Sequence, residues 1–273
     1  MAERASDLPP PTSLVSETSW RRGVSQAGAR IVPEETAIAL VYDKATEAVM
    51  MATPRDLEDF GVGFSLTEGI VKSVDDIRHL DVVPHPLGVE VRMELADAQR
   101  DRADSRRRFR AGPAGCGLCG IESLEAAMRA LPKVNASVKI DSDTVQAAMR
   151  ALADNQALNR ETRAVHAAGF FAPEDEYLIV REDVGRHNAL DKVVGALARS
   201  NRHAGNGIVL LTSRVSVELV QKTAMMGASV LAAISAPTAL ALRTAEEAGI
   251  CVIGIVRDDG MEVFTHPDKV SFG

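Results

Sequence analysis

Two cysteines lie three positions apart in a glycine-rich stretch, GPAGCGLCG, at residues 112–120. A thiolate at Cys116 or Cys119 is a nucleophile, a metal ligand or one half of a disulfide. Glycine has more backbone freedom than any other residue, so the sequence predicts a flexible CxxC loop here. Any chemistry that needs a movable sulfur atom is therefore expected in this loop.

Four kinds of thiol chemistry compete for this pair. A structural zinc site needs four ligands, but only Cys251 and six scattered histidines remain. A redox CxxC pair normally opens a helix directly after a strand, whereas a glycine-rich loop intervenes here. A zinc deaminase needs a glutamate two residues after its histidine, and Ala168 stands there after His166. Sulfur transfer through a cysteine persulfide suits a movable loop, and the RRRFR run at 106–110 favours a thiolate.

Composition narrows the class of protein. The chain of 273 residues has a net charge of −7 and a pI near 5.5, which argues against a protein that coats nucleic acid. No apolar run is long enough to span a membrane, and the N-terminus lacks the apolar core of a secretory signal. Three cysteines, an odd number, favour a reducing, cytoplasmic location. No residue is predicted to bind a metal.

The N-terminal half shows an α+β pattern. Residues 1–30 are rich in proline, serine and charge, which predicts a mobile tail. A β-hairpin over 35–52 should follow, then a helix capped by Thr53 and a strand over 89–95. The stretch 121–131 is amphipathic and predicts a helix directly after the CxxC loop. We assign residues 31–135 to an N-terminal part that carries this loop.

From about residue 136 the pattern becomes α/β. A helix begins near Asp141, and a pair of strands follows between residues 164 and 180. Further apolar runs then alternate with amphipathic helices up to the C-terminus. Such runs indicate a mixed sheet with a parallel portion covered by helices, which we assign to a cofactor-binding domain over 136–273.

The predicted strand ends carry residues that could bind an anion. In open α/β sheets, ligands bind beyond the carboxyl ends of the strands, where helix N-termini offer free N–H groups. Taken singly, Asp183, Ser213 and Ser235 are better explained as helix caps and turn residues, and it is the recurrence of arginine at these turns that favours an anion-binding crevice. The chain lacks the glycine motifs of NTPases and dinucleotide dehydrogenases. The arginines that recur at these turns are Arg181, Arg186, Arg214 and Arg257.

Several longer stretches resemble the FdhD family, the formate dehydrogenase accessory sulfurtransferases. The resemblance covers roughly residues 33–268, and its most specific part is the EDVGRHNALDK sequence. The stretches that carry it are GCGLCG (115–120), REDVGRHNALDKVVG (181–195), SRVSVELVQKTAMMG (213–227), AAISAPTALA (232–241) and, towards the N-terminus, VMMATPRDLEDFGVGFSLTEGI (49–70).

This resemblance implies a concrete function. A cysteine desulfurase would place sulfur as a persulfide on Cys116, with Cys119 as its partner. The acceptor would be molybdenum (or tungsten) in the bis(molybdopterin guanine dinucleotide) cofactor, carried as cargo before it enters formate dehydrogenase. A guanine nucleotide would mimic that cargo. The implied fold is related to that of cytidine deaminases, and a homodimer is implied as well.

The resemblance also implies a cofactor-binding loop at the end of the last long strand. Together with the strand-end residues, it gives a set of candidate contacts. In two respects the sequence alone leaves alternatives open: the chain could be a cofactor chaperone without sulfur transfer, or a CxxC thiol redox protein. Family members often have glycine where this chain has Arg163. The candidate cofactor contacts are Arg186, His187, Ser213, Arg214, Ser235, Ile255, Val256, Arg257, Asp258, Asp259 and Gly260.

Overall fold

The computed structural model describes residues 8–96, 130–136 and 138–273. Within these ranges the chain forms six α-helices and fourteen strands. None of these helices is long and apolar enough to cross a membrane. The helices are α1 (Leu57–Thr67), α2 (Ser142–Asp154), α3 (Ala157–Thr162), α4 (Arg186–Arg199), α5 (Val217–Met226) and α6 (Ala239–Ala248). The strands are β1 (Thr12–Arg21), β2 (Val24–Pro33), β3 (Thr36–Tyr42), β4 (Ala45–Ala52), β5 (Ile77–His85), β6 (Gly88–Leu95), β7 (Ile140–Asp141), β8 (His166–Ala172), β9 (Tyr177–Asp183), β10 (Ile208–Leu211), β11 (Val230–Ala233), β12 (Cys251–Arg257), β13 (Gly260–Val263) and β14 (Val270–Ser271).

A four-stranded sheet in the order β4-β3-β6-β5 carries α1 on one face. Side chains alternate between the two faces of a strand, so Ile38, Leu40 and Tyr42 all point to the same side of β3. They are buried in one cluster with Phe60 and Phe64 of α1. This hydrophobic contact fixes α1 on the sheet and leaves its opposite side free to meet a second layer.

That second layer is α4, and two glycines allow it to approach closely. A Cβ atom added to Gly63 of α1 would lie 1.7 Å from the carbonyl oxygen of Asp191 on α4. A Cβ atom added to Gly195 of α4 would lie 1.9 Å from the carbonyl oxygen of Asp59 on α1. The two helices therefore pack backbone to backbone, and α1 lies between the four-stranded sheet and α4.

The C-terminal part contains a six-stranded sheet in the order β13-β12-β11-β10-β8-β9. The strands β10, β11 and β12 run parallel, whereas the others pair antiparallel. Buried side chains from α4, α5 and α6 cover one face of the sheet, and those from α2 cover the other. A mixed sheet with a helix-covered parallel portion is confirmed, and the deaminase-like relationship stays a prediction.

Two sequence-based predictions about the N-terminal part were wrong. Residues 12–33 form an antiparallel hairpin, β1–β2, where a mobile tail had been expected through residue 30. The alternating apolar residues in the stretch outweigh its polar composition. The helix α1 begins at Leu57, not after Thr53, because Thr53 bonds to residues near β9. The predicted helix over 121–131 falls on residues 121–129, outside the described ranges, and on residues 130–131, which are not helical.

Candidate functional site

The loops with candidate contacts lie along one edge of the six-stranded sheet. Parallel strands end at the same edge, so the loops after β10, β11 and β12 are neighbours. The antiparallel strands bring in two further positions, because His166 at the start of β8 pairs with Asp183 at the end of β9. Ala167 and Thr212 exchange backbone and side-chain hydrogen bonds at the same level. We call this the strand-end edge: residues 183–187, 212–218, 234–238 and 255–260, with His166.

Backbone bonds hold the loops of β10 and β11 together. Val215 forms an isolated parallel bridge with Pro237, and its N–H donates to the carbonyl oxygen of Ala236 at 3.3 Å. The N–H of Thr238, the cap of α6, donates to the Val215 carbonyl oxygen at 3.0 Å. The loops that carry Ser213 and Ser235 therefore form a single framework fixed before any ligand binds.

The candidates on these two loops differ in exposure. Ser213 is buried, and its hydroxyl donates to the carbonyl oxygen of Arg214 at 3.1 Å. Arg214 is exposed, so its guanidinium is accessible to a ligand from solvent. Ser235 is half-buried, and its carbonyl oxygen accepts from Ile255 N at 3.4 Å. The pairing of a fixed serine framework with an accessible arginine suits recognition of an anion.

The end of β12 has an unusual backbone. Ile255 has a φ of 52°, in the left-handed region that β-branched residues rarely adopt. The register with β13 shifts between Gly254 and Arg257, so the chain bulges there. Arg257 donates to the carbonyl oxygens of Ile234 and, at 2.9 Å, Val256. Its guanidinium therefore links β12 to the end of β11 and is only partly available to a ligand.

The two aspartates of this loop face outward. Asp258 and Asp259 are exposed at the turn into β13, and the Asp258 carboxylate lies 3.8 Å from an Arg150 nitrogen. Gln146 of α2 donates to the Arg257 carbonyl oxygen at 2.9 Å. Val256 is buried, whereas Gly260 is half-buried at the start of β13. The loop thus presents backbone and carboxylates to solvent beside the Ser235 loop.

The EDVGRHNALDK sequence serves mainly to join elements. Asp183 is buried and accepts hydrogen bonds from Thr53 N at 3.0 Å, Gly185 N at 2.7 Å and Asn188 Nδ2 at 2.9 Å. Lys192 Nζ lies 2.6 Å from the same carboxylate. These bonds fix the first turn of α4 against the loop after β4. Asp183 and Asn188 are therefore structural residues.

Arg181 likewise serves the fold, which corrects its assignment as a strand-end candidate. Its guanidinium donates to Asp59 Oδ2 at 2.9 and 2.7 Å, and Asp59 is buried in α1. Arg199, at the end of α4, donates to Asp59 Oδ1 at 2.5 Å. Because successive side chains of a strand alternate between its two faces, Arg181 lies on the face of β9 that meets α1 and not at the strand-end edge.

Arg186 and His187 occupy the first turn of α4 at the strand-end edge, and His166 lies nearby. Burial lowers the pKa of His166, and the charge of Arg186 lowers it further. Burial, with a further contribution from Arg186, lowers the pKa of His187 to about 4. Both imidazoles are therefore neutral at neutral pH and can donate or accept a hydrogen bond without adding charge.

Sequence reasoning missed the acidic neighbour of His187. Its Nε2 lies 3.8 Å from Glu218 Oε2, in the first turn of α5, and has no hydrogen-bond partner among the described residues. One turn later, Lys222 is buried and bonds to Asp191, Thr67 and Glu68. The four-residue spacing of Glu218 and Lys222 indicates one helix face, but only the packing of α5 on α4 shows what that face meets.

The three cysteines separate into two groups. Cys116 and Cys119 lie outside the described residues. Cys251 is fully buried at the start of β12, and burial raises the pKa of its thiol to about 12. A thiol of that pKa is not a nucleophile at neutral pH, so Cys251 is a core residue. In the described ranges no group of three or more histidine, cysteine, aspartate or glutamate residues is placed to hold a metal ion.

The fold and the site together define a class of protein. It is a mixed α/β protein that has three helix N-termini and accessible arginines at one edge of its sheet. The family is shown by comparison: a model described as the FdhD/NarQ family matches residues 33–271, and this chain belongs to that family.

Named relatives agree with this assignment, and a solved structure shares the fold. The chain is 53% identical over 258 residues to a protein of Agrobacterium fabrum named sulfur carrier protein FdhD, covering 94% of this chain and 95% of that one. It is 47% identical over 267 residues to a protein of the same name from Cupriavidus necator, covering 97% and 93%. A crystal structure named for a formate dehydrogenase accessory protein from Desulfotalea psychrophila superposes with a TM-score of 0.76. It is 24% identical and covers 96% of this chain and all of that one, and this likeness shows the fold alone.

Proposed function

We propose that this chain is a sulfurtransferase that carries persulfide sulfur to a molybdenum cofactor destined for formate dehydrogenase. The observation that carries the proposal is its 53% identity, over nearly the full chain, to a relative named sulfur carrier protein. The name of the Desulfotalea psychrophila structure suggests formate dehydrogenase as the acceptor enzyme. The cysteine pair supplies the chemistry, because a sulfur carrier needs a nucleophilic sulfur.

The loading step is a thiol exchange without net oxidation. The Cys116 thiolate attacks the outer sulfur of a persulfide on a cysteine desulfurase. A new S–S bond forms to Cys116, the S–S bond of the donor breaks, and the donor cysteine leaves as a thiolate. Cys119, three residues away, is the partner thiol. The arginines at 106–110 favour the thiolate form that this attack requires.

The strand-end edge is the proposed site for the cargo, the molybdenum-bis(molybdopterin guanine dinucleotide). The N-termini of α4, α5 and α6 offer backbone N–H groups there, and helix N-termini stabilise phosphate. Arg186, Arg214 and Arg257 would contact the diphosphates, because the guanidinium group matches phosphate geometry. The neutral His166 and His187 would provide hydrogen bonds to uncharged parts of the ligand.

The fixed loops support binding of a large polar ligand. The bridge between Val215 and Pro237 and the bond from Ile255 N to Ser235 O already hold three loops in place. A preformed site loses little conformational entropy when the ligand binds. The same rigidity would suit a cofactor chaperone that moves no sulfur, so the experiment must separate cargo binding from sulfur loading.

Intact mass spectrometry tests the sulfur step. The wild type and the variants Cys116→Ala, Cys119→Ala and Cys251→Ala are incubated with a cysteine desulfurase and cysteine. We expect a gain of one sulfur in the wild type and in Cys251→Ala, the control for a buried cysteine, and no gain in Cys116→Ala. A reversible disulfide between Cys116 and Cys119 with no sulfur gain would instead support a thiol redox protein.

Calorimetric titration with guanosine diphosphate tests the cargo site independently. Arg214→Ala should weaken binding by roughly 10-fold or more, because a charge-assisted hydrogen bond to phosphate is lost. Arg92→Ala is the matched control, since Arg92 lies on β6, away from the strand-end edge. Nucleotide binding without sulfur loading in the wild type or any variant would support a cofactor chaperone that transfers no sulfur. Loading of Cys116 without any nucleotide binding would remove the strand-end edge from the proposal.

A further inference from the structure

His187 and Glu218 face each other where α4 and α5 meet. Each is the second residue of its helix, so the pair lies at the strand-end edge, where the cargo is proposed to bind. His187 Nε2 lies 3.8 Å from Glu218 Oε2, and the two side chains are only 20% and 18% exposed. This geometry determines which hydrogen bonds the imidazole can offer to a ligand.

A second pair of charges, one turn further along both helices, fixes the distance between them. Asp191 follows His187 by four residues and Lys222 follows Glu218 by four, so the two residues on each helix share one face. Lys222 Nζ lies 2.9 and 3.0 Å from the two carboxylate oxygens of Asp191, and both residues are buried. A buried ion pair is costly to separate, so this contact keeps His187 opposite Glu218.

The two nitrogens of the His187 ring lie in different surroundings. Nε2 is buried and forms no hydrogen bond with a described residue. Glu218 Oε2 is the acceptor that it faces, and a small rotation of either side chain would close the gap of 3.8 Å. Nδ1 is not one of the buried atoms without a partner, and no hydrogen bond joins it to the described part of the chain. Nδ1 is therefore the nitrogen that a ligand can reach.

The protonation states of the pair assign a role to each nitrogen. Burial opposes ionisation of Glu218, but hydrogen bonds from the Ser216 hydroxyl and from its own backbone N–H hold its pKa below the ordinary value. Burial and the charge of Arg186 lower the pKa of His187 to about 4, so the ring is neutral. An ionised carboxylate can only accept, so the neutral ring must turn an N–H towards it. Nε2 then carries the proton, and Nδ1 carries a free lone pair.

We propose that Glu218 is a positioning residue that holds the Nε2–H of His187, so that Nδ1 accepts a hydrogen bond from an N–H group of the bound ligand. This inference rests on the strand-end edge being the cargo site. The ligand group that fits is the amino-oxo-pyrimidine ring that guanine and pterin share, which carries N–H donors on its amino group and on one ring nitrogen. A ring without such donors would leave the acceptor unpaired, so the contact is selective.

Calorimetric titration of the full chain with guanosine diphosphate, neopterin and pyrophosphate tests the acceptor. The first two present the ring from its two sources, and pyrophosphate has no ring. His187→Leu should weaken binding of at least one ring-bearing ligand by roughly 10-fold, because one hydrogen bond is lost, and should weaken pyrophosphate binding much less. His187→Asn should stay within about 3-fold of the wild type, because asparagine Oδ1 takes the place of Nδ1 as acceptor.

Two variants of Glu218 test its positioning role. Glu218→Leu should weaken binding of the same ring-bearing ligand by roughly 3- to 10-fold, because the imidazole loses the group that orients it. Glu218→Gln is the matched control: its amide oxygen still accepts from Nε2–H, so the affinity should remain near that of the wild type.

Nitrogen-15 NMR of the histidine rings gives a readout that a purely structural role of Glu218 would not change. In the wild type the proton should be on Nε2 of His187, and the signals are assigned by their loss in His187→Leu. Glu218→Leu should give signals averaged over both tautomers. The ring-bearing ligand should shift the Nδ1 signal far more than the Nε2 signal.

The results that overturn this proposal differ from those that count against the cargo site. A proton on Nδ1 in the wild type overturns it, and so does an unchanged affinity in Glu218→Leu. The same holds if His187→Leu weakens neither ring-bearing ligand, or weakens pyrophosphate equally. A wild type that binds none of the three ligands removes the strand-end edge as the cargo site, and this inference with it, while sulfur loading of Cys116 would be unaffected.

Discussion

Lys192 Nζ lies 2.6 Å from Asp183 Oδ2, and neither side chain is accessible to solvent. The ion pair joins the second turn of α4 to the end of β9. Lys192 also donates to the carbonyl oxygen of Thr53 at 3.0 Å, so it secures the loop that leads into α1. Removal of one charge leaves the other buried without its partner, which costs far more than the loss of an exposed ion pair.

Lys192→Met should therefore lower the free energy of unfolding by about 3–5 kcal/mol. The methionine keeps most of the volume, so the loss reports on the unpaired Asp183 carboxylate. Lys139→Met is the control, because Lys139 is exposed and its replacement should change stability by no more than about 0.5 kcal/mol. Urea denaturation measures both variants. A loss below about 1 kcal/mol in Lys192→Met would contradict the assignment.

Gly195→Ala should separate α1 from α4. The added methyl group would lie 1.9 Å from the Asp59 carbonyl oxygen, which is backbone and cannot rotate away. We expect a loss of about 3 kcal/mol or more in the free energy of unfolding. Gly205→Ala is the control, since nothing lies within 4 Å of the added Cβ there. Equal thermal stability of the two variants would show that the helices can move apart without cost.

The left-handed backbone of Ile255 predicts that a glycine variant at this position is more stable than an alanine variant, which is the reverse of the usual order in a strand. Both Ile255→Gly and Ile255→Ala remove the side chain, so their difference isolates the backbone conformation. Glycine adopts a φ of 52° without penalty, so the glycine variant should be more stable by about 1 kcal/mol. At Val263, an ordinary strand position, alanine should be the more stable of the two. Chemical denaturation of the four variants measures both differences in stability. The same order of stability at both positions would exclude strain at Ile255.

His187 should make stability depend on pH between about 4 and about 6.5. The unfolded chain binds a proton at the ordinary histidine pKa of about 6.5, whereas burial lowers the pKa in the folded protein to about 4. Below pH 6.5 the unfolded state therefore binds more protons, and the free energy of unfolding falls as the pH falls. The loss is of the order of 3 kcal/mol by pH 4.

His187→Gln should remove most of that slope, because glutamine does not titrate. The measurement is urea denaturation of both proteins at several pH values across this window. His166 contributes in the same direction, since burial lowers its pKa as well, so part of the slope should remain in the variant. An unchanged slope in His187→Gln would mean that His187 is solvated in the folded protein.

The order of helices and strands in the C-terminal part was predictable from local pattern. The runs at 208–211, 230–233 and 251–257 are apolar without alternation, and the structure places them as the buried parallel strands. The hairpin over residues 12–33 was not predicted, because its serine, glutamate and arginine content resembles that of a disordered tail. Pairing between strands depends on register, and composition does not report register.

The site was predictable only in part. Ser213, Arg214, Ser235 and the 255–260 loop do meet at the strand-end edge, as parallel strands require. Arg181 could not be separated from the other arginines, because its partner Asp59 lies 122 residues away in the sequence. The backbone strain at Ile255 leaves no trace in residue type, since isoleucine is ordinary in a strand.

The contacts between α1 and the C-terminal part impose an order on folding during synthesis. Thr67 donates to Asp191 from 124 residues away, and Lys222 reaches Thr67 across 155 residues. As the ribosome makes the chain, the four-stranded sheet can fold first, but the outer side of α1 stays uncovered until α4 and α5 have emerged. A nascent chain stalled before residue 186 would expose the Gly63 surface and the Asp59 carboxylate together.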